Sequence, residues 1–154
     1  MAEKKEDQLR LPPHSLEAEQ AVLGCMLIDV EAVPKVMRHL TEHSFYKPAH
    51  ATIFTYMMKL FEDNNTIDNI SMLEELKKSS QLDAVGGAYY ITGLSSEAPS
   101  AANVEYYARI VKDKAILRTI ISAAVEMSTT AYEGGDEATE ILDNAEQVLF
   151  KLSE

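Results

Sequence analysis

The chain has 154 residues, 46% hydrophobic and 25% charged, which allows one domain with a substantial core and an ordinary water-soluble composition. Its formal net charge of −11 repels phosphate backbones and disfavours direct high-affinity binding to DNA or RNA. No apolar run approaches the roughly eighteen residues of a membrane span, and MAEKKEDQLR lacks the apolar stretch of a signal peptide, so a cytoplasmic location is expected. In that compartment the Asn-x-Ser/Thr matches at Asn64 and Asn69 carry no meaning, and the lone Cys25, inside AVLGCMLI, reads as a small core hydrophobe.

Helical periodicity recurs along the whole chain and no useful stretch alternates, so an all-α fold is expected. After a flexible polar tail over 1–13, Ser15 is placed to cap a helix whose first turn carries Glu17 and Glu19, where carboxylates suit the positive end of the helix dipole. That helix should bury Leu16, Val22, Leu23, Met26 and Leu27. A short helix is predicted over 33–40 with Pro34 in its first turn, then one over 48–63 offering Ile53, Phe54, Met57, Leu60 and Phe61. Asp68 or Asn69 can cap the next, through Met72, Leu73 and Leu76, and Gly86-Gly87 separates it from a helix containing Tyr89, Tyr90, Ile91 and Leu94. These five helices make a compact head over 14–98.

A second part, over 99–154, reads as a helical hairpin. Pro99 ends the preceding element and Ser100 caps a new helix that meets no Gly or Pro from 101 to about 132. At 1.5 Å per residue that helix is about 48 Å long, more than a domain of this size is wide, so part of it should protrude. Gly134-Gly135 breaks it, and a return helix over about 136–153 places Ala138, Ile141, Ala145, Val148 and Leu152 at coiled-coil-like spacing, with Leu142 and Leu149 alongside. The last 22 residues hold seven acidic side chains against Lys151 alone, which suits a solvated face or a surface for a basic protein partner.

The segment ILRTIISAAVEM is too apolar for a hairpin helix with one neighbour. On a helical wheel Arg118, Thr119, Ser122 and Glu126 share one sector, while Ile116, Leu117, Ile120, Ile121, Ala123, Ala124, Val125 and Met127 fill an arc of about 200°. The narrow return seam covers about half of that arc. A second copy of the hairpin, paired about a two-fold axis, is the simplest cover for the rest. Five or six newly buried Ile and Leu side chains contribute roughly 8 to 18 kcal/mol gross. Association costs about 4 to 15 kcal/mol, so a moderately tight dimer is expected.

Catalytic and cofactor motifs are missing. Without a G-x-x-x-x-G-K-[ST] loop no backbone cradle holds nucleotide phosphates, so the chain should not hydrolyse ATP or act as an enzyme by itself. His39 and His43 have the i, i+4 spacing of a helical metal pair, but they fall at a helix end with no cysteine cluster nearby, and no metal site is expected. His50, beside Ile53 and Phe54 on one helix, reads as a structural histidine. Glu74-Glu75 read as solvated carboxylates, Tyr106 and Tyr107 as core or protein-interface aromatics, and the methionines of TYMMKLF as core filler.

Four motifs carry a family resemblance: PPHSLEAEQAVLG (12–24), FYKPAHATIF (45–54), LDAVGGAYYITGL (82–94) and PSAANVEYYARIVKDKAILR (99–118). In order and spacing they resemble the N-terminal domain of DnaB-type bacterial replicative helicases, over 12–154. Ser44 departs from the acidic residue the family commonly places before Phe-Tyr, and the hairpin helices diverge from the family freely.

The resemblance implies a parent that is a hexameric, ATP-driven helicase unwinding DNA 5′ to 3′. ATP and magnesium would be bound by a RecA-like motor domain that this chain lacks. It implies a collar built as a trimer of dimers, with hairpins pairing and heads making further contacts, onto which the C-terminal domain of primase docks; a helicase loader is a further candidate partner. Carried onto this sequence, the dimer interface centres on Ile116, Leu117, Ile120, Ile121, Ala124, Ile141, Leu142, Ala145 and Leu149. Glu17 in SLEAEQ and Tyr107 in EYYARIV are the candidates for partner contact or ring modulation. Two alternatives stay open: the helicase-binding C-terminal domain of a primase, which resembles the same head and hairpin, and a direct DNA-binding module. PPHSLEAEQAVLG near the chain start favours the helicase over the first, and the −11 charge argues against the second.

Overall fold

A computed structural model describes residues 10–154, and among them every regular element is helical. The first nine residues of the expected tail lie outside the described residues. The described chain divides into two compact units, one over 14–115 and the other comprising 10–13 with 116–154.

The first unit is organised around helix α1, Leu16–Ile28, which begins where the extended Ser15 accepts the Ala18 amide on its side chain. A helix buried on most of its circumference must be apolar nearly all round, which explains the run AVLGCML: Val22, Leu23, Gly24, Cys25, Met26 and Leu27 are all buried. Burial pushes the Cys25 thiol up, with Asp29 adding to the effect, and the thiol points at the Pro99 carbonyl at 3.5 Å. One expectation for this helix fails. Leu16 is exposed, because it precedes the point where the helix enters the core. Glu17 and Glu19 both lie in the first turn as expected, and Glu19 is buried there.

Helix α2, Ala32–Met37, stops earlier than the expected 33–40, and a 3-10 turn follows at Glu42–Ser44. In that turn the Thr41 amide donates to Ser44 Oγ and the Thr41 side chain accepts the Ser44 amide. Helix α3, Pro48–Glu62, has Pro48 in its first turn, where a missing N–H costs nothing, and buries His50, Ile53, Phe54, Met57 and Leu60. Asp68 caps helix α4, Asn69–Lys78, by accepting the Ser71 amide at 2.8 Å while its own amide donates to Ser71 Oγ at 2.9 Å. Gly86, at a φ of +106°, allows the left-handed turn into helix α5, Gly87–Ser96. α5 buries Ile91 and Leu94 and leaves Tyr89 exposed.

Ser100 accepts the Ala102 amide and opens a 3-10 turn, Ala101–Asn103, that leads into helix α6, Val104–Glu133. The first turns of α6 pack with the head, where Val104, Ala108 and Val111 join Met26, Phe54, Met72 and Ile91 in one hydrophobic core. In the second unit, helix α7, Ala138–Ser153, follows α6 after the left-handed Gly134, and its Ile141, Ala145 and Val148 line one cavity with Glu126, Met127 and Thr130 of α6. Ile141, Ala145, Val148 and Leu152 of α7 are half-buried along the seam, and Ala123 is buried. Ala138, the first residue of the expected seam, is exposed.

Candidate docking surfaces

In the hairpin unit, Ile116, Leu117, Ile120, Ile121 and Val125 of α6 and Leu142 and Leu149 of α7 are each 44–60% exposed. Single exposed apolar residues are ordinary, but a run of them at helical spacing is a candidate interaction surface. Ala124 is exposed with them, whereas Ile141 and Ala145 are half-buried in the seam. The polar sector is anchored elsewhere: Arg118 donates to the Pro13 carbonyl at 2.7 Å.

The head carries a groove of about 650 Å³ between α1 and α5, lined among others by Glu17, Gln20, Tyr89, Tyr90 and Glu97. The two helices approach closely because position 24 is glycine: a Cβ there would lie 2.2 Å from the Leu94 carbonyl oxygen and 2.9 Å from the Ala98 Cβ. Glu17 is exposed on this groove, while Tyr107 does not line it. Tyr107 is half-buried against the head core and meets Tyr106 edge-on, with ring centroids 5.7 Å apart.

Behind the groove lies a buried polar chain that sequence reasoning did not assemble. Glu19 accepts the amides of Tyr46 at 2.9 Å and Lys47 at 3.3 Å, and it meets His50 Nδ1 at 2.8 Å. His50 Nε2 in turn meets the Tyr90 hydroxyl, which also accepts from Gln20 Nε2 and Lys47 Nζ, each at 3.4 Å. Burial raises the Glu19 pKa, but the hydrogen bonds from His50, Tyr46 and Lys47 outweigh it and hold the carboxyl below the usual range. An ionised Glu19 only accepts, so His50 Nδ1 carries a proton toward it. In neutral His50 this leaves Nε2 to accept from Tyr90. The chain ties α1, the start of α3 and α5 together, and it gives His50 the structural role expected of it. The available signals were FYKPAH and the second Glu of SLEAEQ, Glu19, but their pairing across 31 residues is a tertiary fact.

The described residues contain no group of three or more His, Cys, Asp or Glu side chains placed to hold a metal ion. Nor is any described helix long and apolar enough to cross a membrane.

A family model described as "DnaB-like helicase N terminal domain" matches residues 11–113, more than half of the chain. The chain belongs to the DnaB-like helicase N-terminal domain family. Across 145 residues, 94% of this chain, it is 41% identical to the replicative DNA helicase DnaB of Rhodothermus marinus and covers 15% of that protein. Over the same share it is 39% identical to DnaB of Geobacillus stearothermophilus and covers 32% of it. The chain thus spans about a third or less of the curated relatives it matches, and it aligns with a DnaB N-terminal domain. A crystal structure of the N-terminal domain of DnaB helicase from Mycobacterium tuberculosis superposes with a TM-score of 0.86 at 36% identity, over 91% of this chain and 99% of that one. The all-α DnaB N-terminal fold expected from the four motifs is therefore the fold observed.

Proposed function

We propose that this chain is the oligomerisation and primase-docking domain of a hexameric replicative helicase, working in the cytoplasm at the replication fork. The observation that carries the first half is the apolar stripe from Ile116 to Val125 with Leu142 and Leu149, exposed within a single chain. Leaving it in water is unfavourable, and a two-fold pairing lets one stripe cover its equivalent. Pairs so formed assemble into a trimer of dimers. The domain itself catalyses nothing and binds no cofactor: ATP and magnesium belong to a motor domain of the parent, which drives 5′ to 3′ unwinding. The head presents the docking surface for the primase C-terminal domain, with Glu17 on its outer face and Tyr107 supporting it from the core edge; a helicase loader uses the same collar. The family membership and the domain-length alignment to DnaB helicases support this reading.

Sedimentation tests it. At about 0.1 mM the chain should run as a dimer or larger, because the apolar gain exceeds the association cost only moderately. Ile120→Asp or Ile121→Asp should shift it to monomer while helix content is kept. A monomeric wild-type profile at that concentration sinks the pairing reading.

A further inference from the structure

The groove between α1 and α5 is lined by carboxylates and aromatic rings and by no basic side chain. Its ionisable carboxyl groups are Glu17 from the first turn of α1 and Glu97 at the end of α5, and no lysine or arginine lines it. The last turn of α5 contains no basic residue to compensate its carbonyl end, so the partial negative charge there adds to that of Glu97. Tyr89 stands at the groove 90% exposed. Tyr90 beside it is held from behind by Gln20, Lys47 and His50, and the Lys47 ammonium lies over the Tyr90 ring at 4.6 Å. Lys47 sits over the Tyr90 ring and does not line the groove, and the Tyr89 ring is left open to solvent.

Carboxylates, a helix C-terminus and an open aromatic face together select a cation over an anion. Arginine fits better than lysine: its planar guanidinium can stack on a tyrosine and donate to carboxylate, carbonyl and the Ser96 hydroxyl at once. Phosphate-bearing ligands are repelled by the same charges.

We infer that this groove docks an arginine-bearing segment of a partner protein, with the guanidinium over Tyr89 and paired to Glu17 or Glu97. The inference rests on the docking reading proposed above and assigns it a place and a chemistry. The buried Glu19–His50–Tyr90 chain holds α5 against α1, so the groove is preformed and little ordering is required on binding.

The test is a titration of the isotope-labelled chain, followed by amide chemical shifts, with short peptides alternating alanine with arginine, lysine or glutamate. Saturable shifts confined to 17–21 and 89–97 are expected with the arginine peptide, weaker ones with lysine and none with glutamate. The Glu17→Gln, Glu97→Gln double variant should bind the arginine peptide about five- to tenfold more weakly, as two partly exposed ion pairs allow. Shifts centred on the acidic residues of 133–146, or equal affinity in the double variant, would overturn the assignment. A primase C-terminal domain forms a separate arm. If it binds both forms equally, docking stands and the groove is excluded as the site; if it binds neither, docking by this domain falls, while the peptide titration still decides the groove.

Discussion

Replacing Glu19 by alanine removes a buried carboxylate from three donors at once: the Tyr46 and Lys47 amides and His50 Nδ1. His50 is fully buried, so its ring cannot turn to water for a substitute. A hydrogen bond to a charged group contributes about 1.5 to 3 kcal/mol, and removing one partner of a buried pair typically costs about 3 to 5 kcal/mol in total. At roughly 2 to 4 °C per kcal/mol for a chain of about 150 residues, the melting temperature should fall by about 6 to 20 °C. Glu17→Ala, two residues away in the same helical turn but exposed, is the control and should move it by only about 2 °C, the scale of a surface dipole contact. Circular dichroism melts at neutral pH measure both. A Glu19→Ala melting point within about 3 °C of wild type would show that the polar chain does not hold the head together, and the account of a preformed groove would fail with it.

Three further outcomes follow from the same structure. Gly24→Ala should destabilise the head by about 2 kcal/mol or more in a denaturant titration, since the added methyl meets backbone at Leu94 rather than a side chain that can yield; an unchanged midpoint would contradict the close approach of α1 and α5. Tyr90→Phe keeps the ring but leaves His50 Nε2 without its hydroxyl partner, and should cost about 1 to 3 kcal/mol by the same measurement. Because folding lowers the Glu19 pKa, its contribution is fully present above the ordinary glutamate value of about 4.3 and is lost as pH falls through the lower folded value. Wild type should therefore lose stability more steeply below about pH 4 than Glu19→Gln does, and parallel acid profiles would refute the assignment.

The helical class, the caps at Ser15 and Asp68, the break at Gly134 and the apolar excess around Ile120 were all legible, because each depends on local periodicity or on a residue acting within one turn. Membership of the DnaB N-terminal family was legible for a related reason: its motifs are contiguous words. Glu17 was singled out and does stand on a groove, but the residues that shape that groove, Gly24, Tyr90 and Glu97, were not, and Tyr107 lies outside it. Where burial depends on distant chain the sequence was less legible. Leu16 was expected in the core and is exposed, whereas nothing local showed that the first-turn Glu19 would be buried.

Periodicity and turn chemistry state what each helix is and which stripe it offers, and the sequence holds neither a G-x-x-x-x-G-K-[ST] loop nor an apolar run of membrane-span length. They are silent on which stripes find partners. Glu19 stays ionised in the interior only because the Tyr46 and Lys47 amides and His50 arrive from another part of the chain, and α5 reaches α1 only because Gly24 lacks a side chain. The pairing of distant residues decides the desolvation and hydrogen bonding of buried polar groups, so tertiary structure alone could place the polar chain and the groove in front of it.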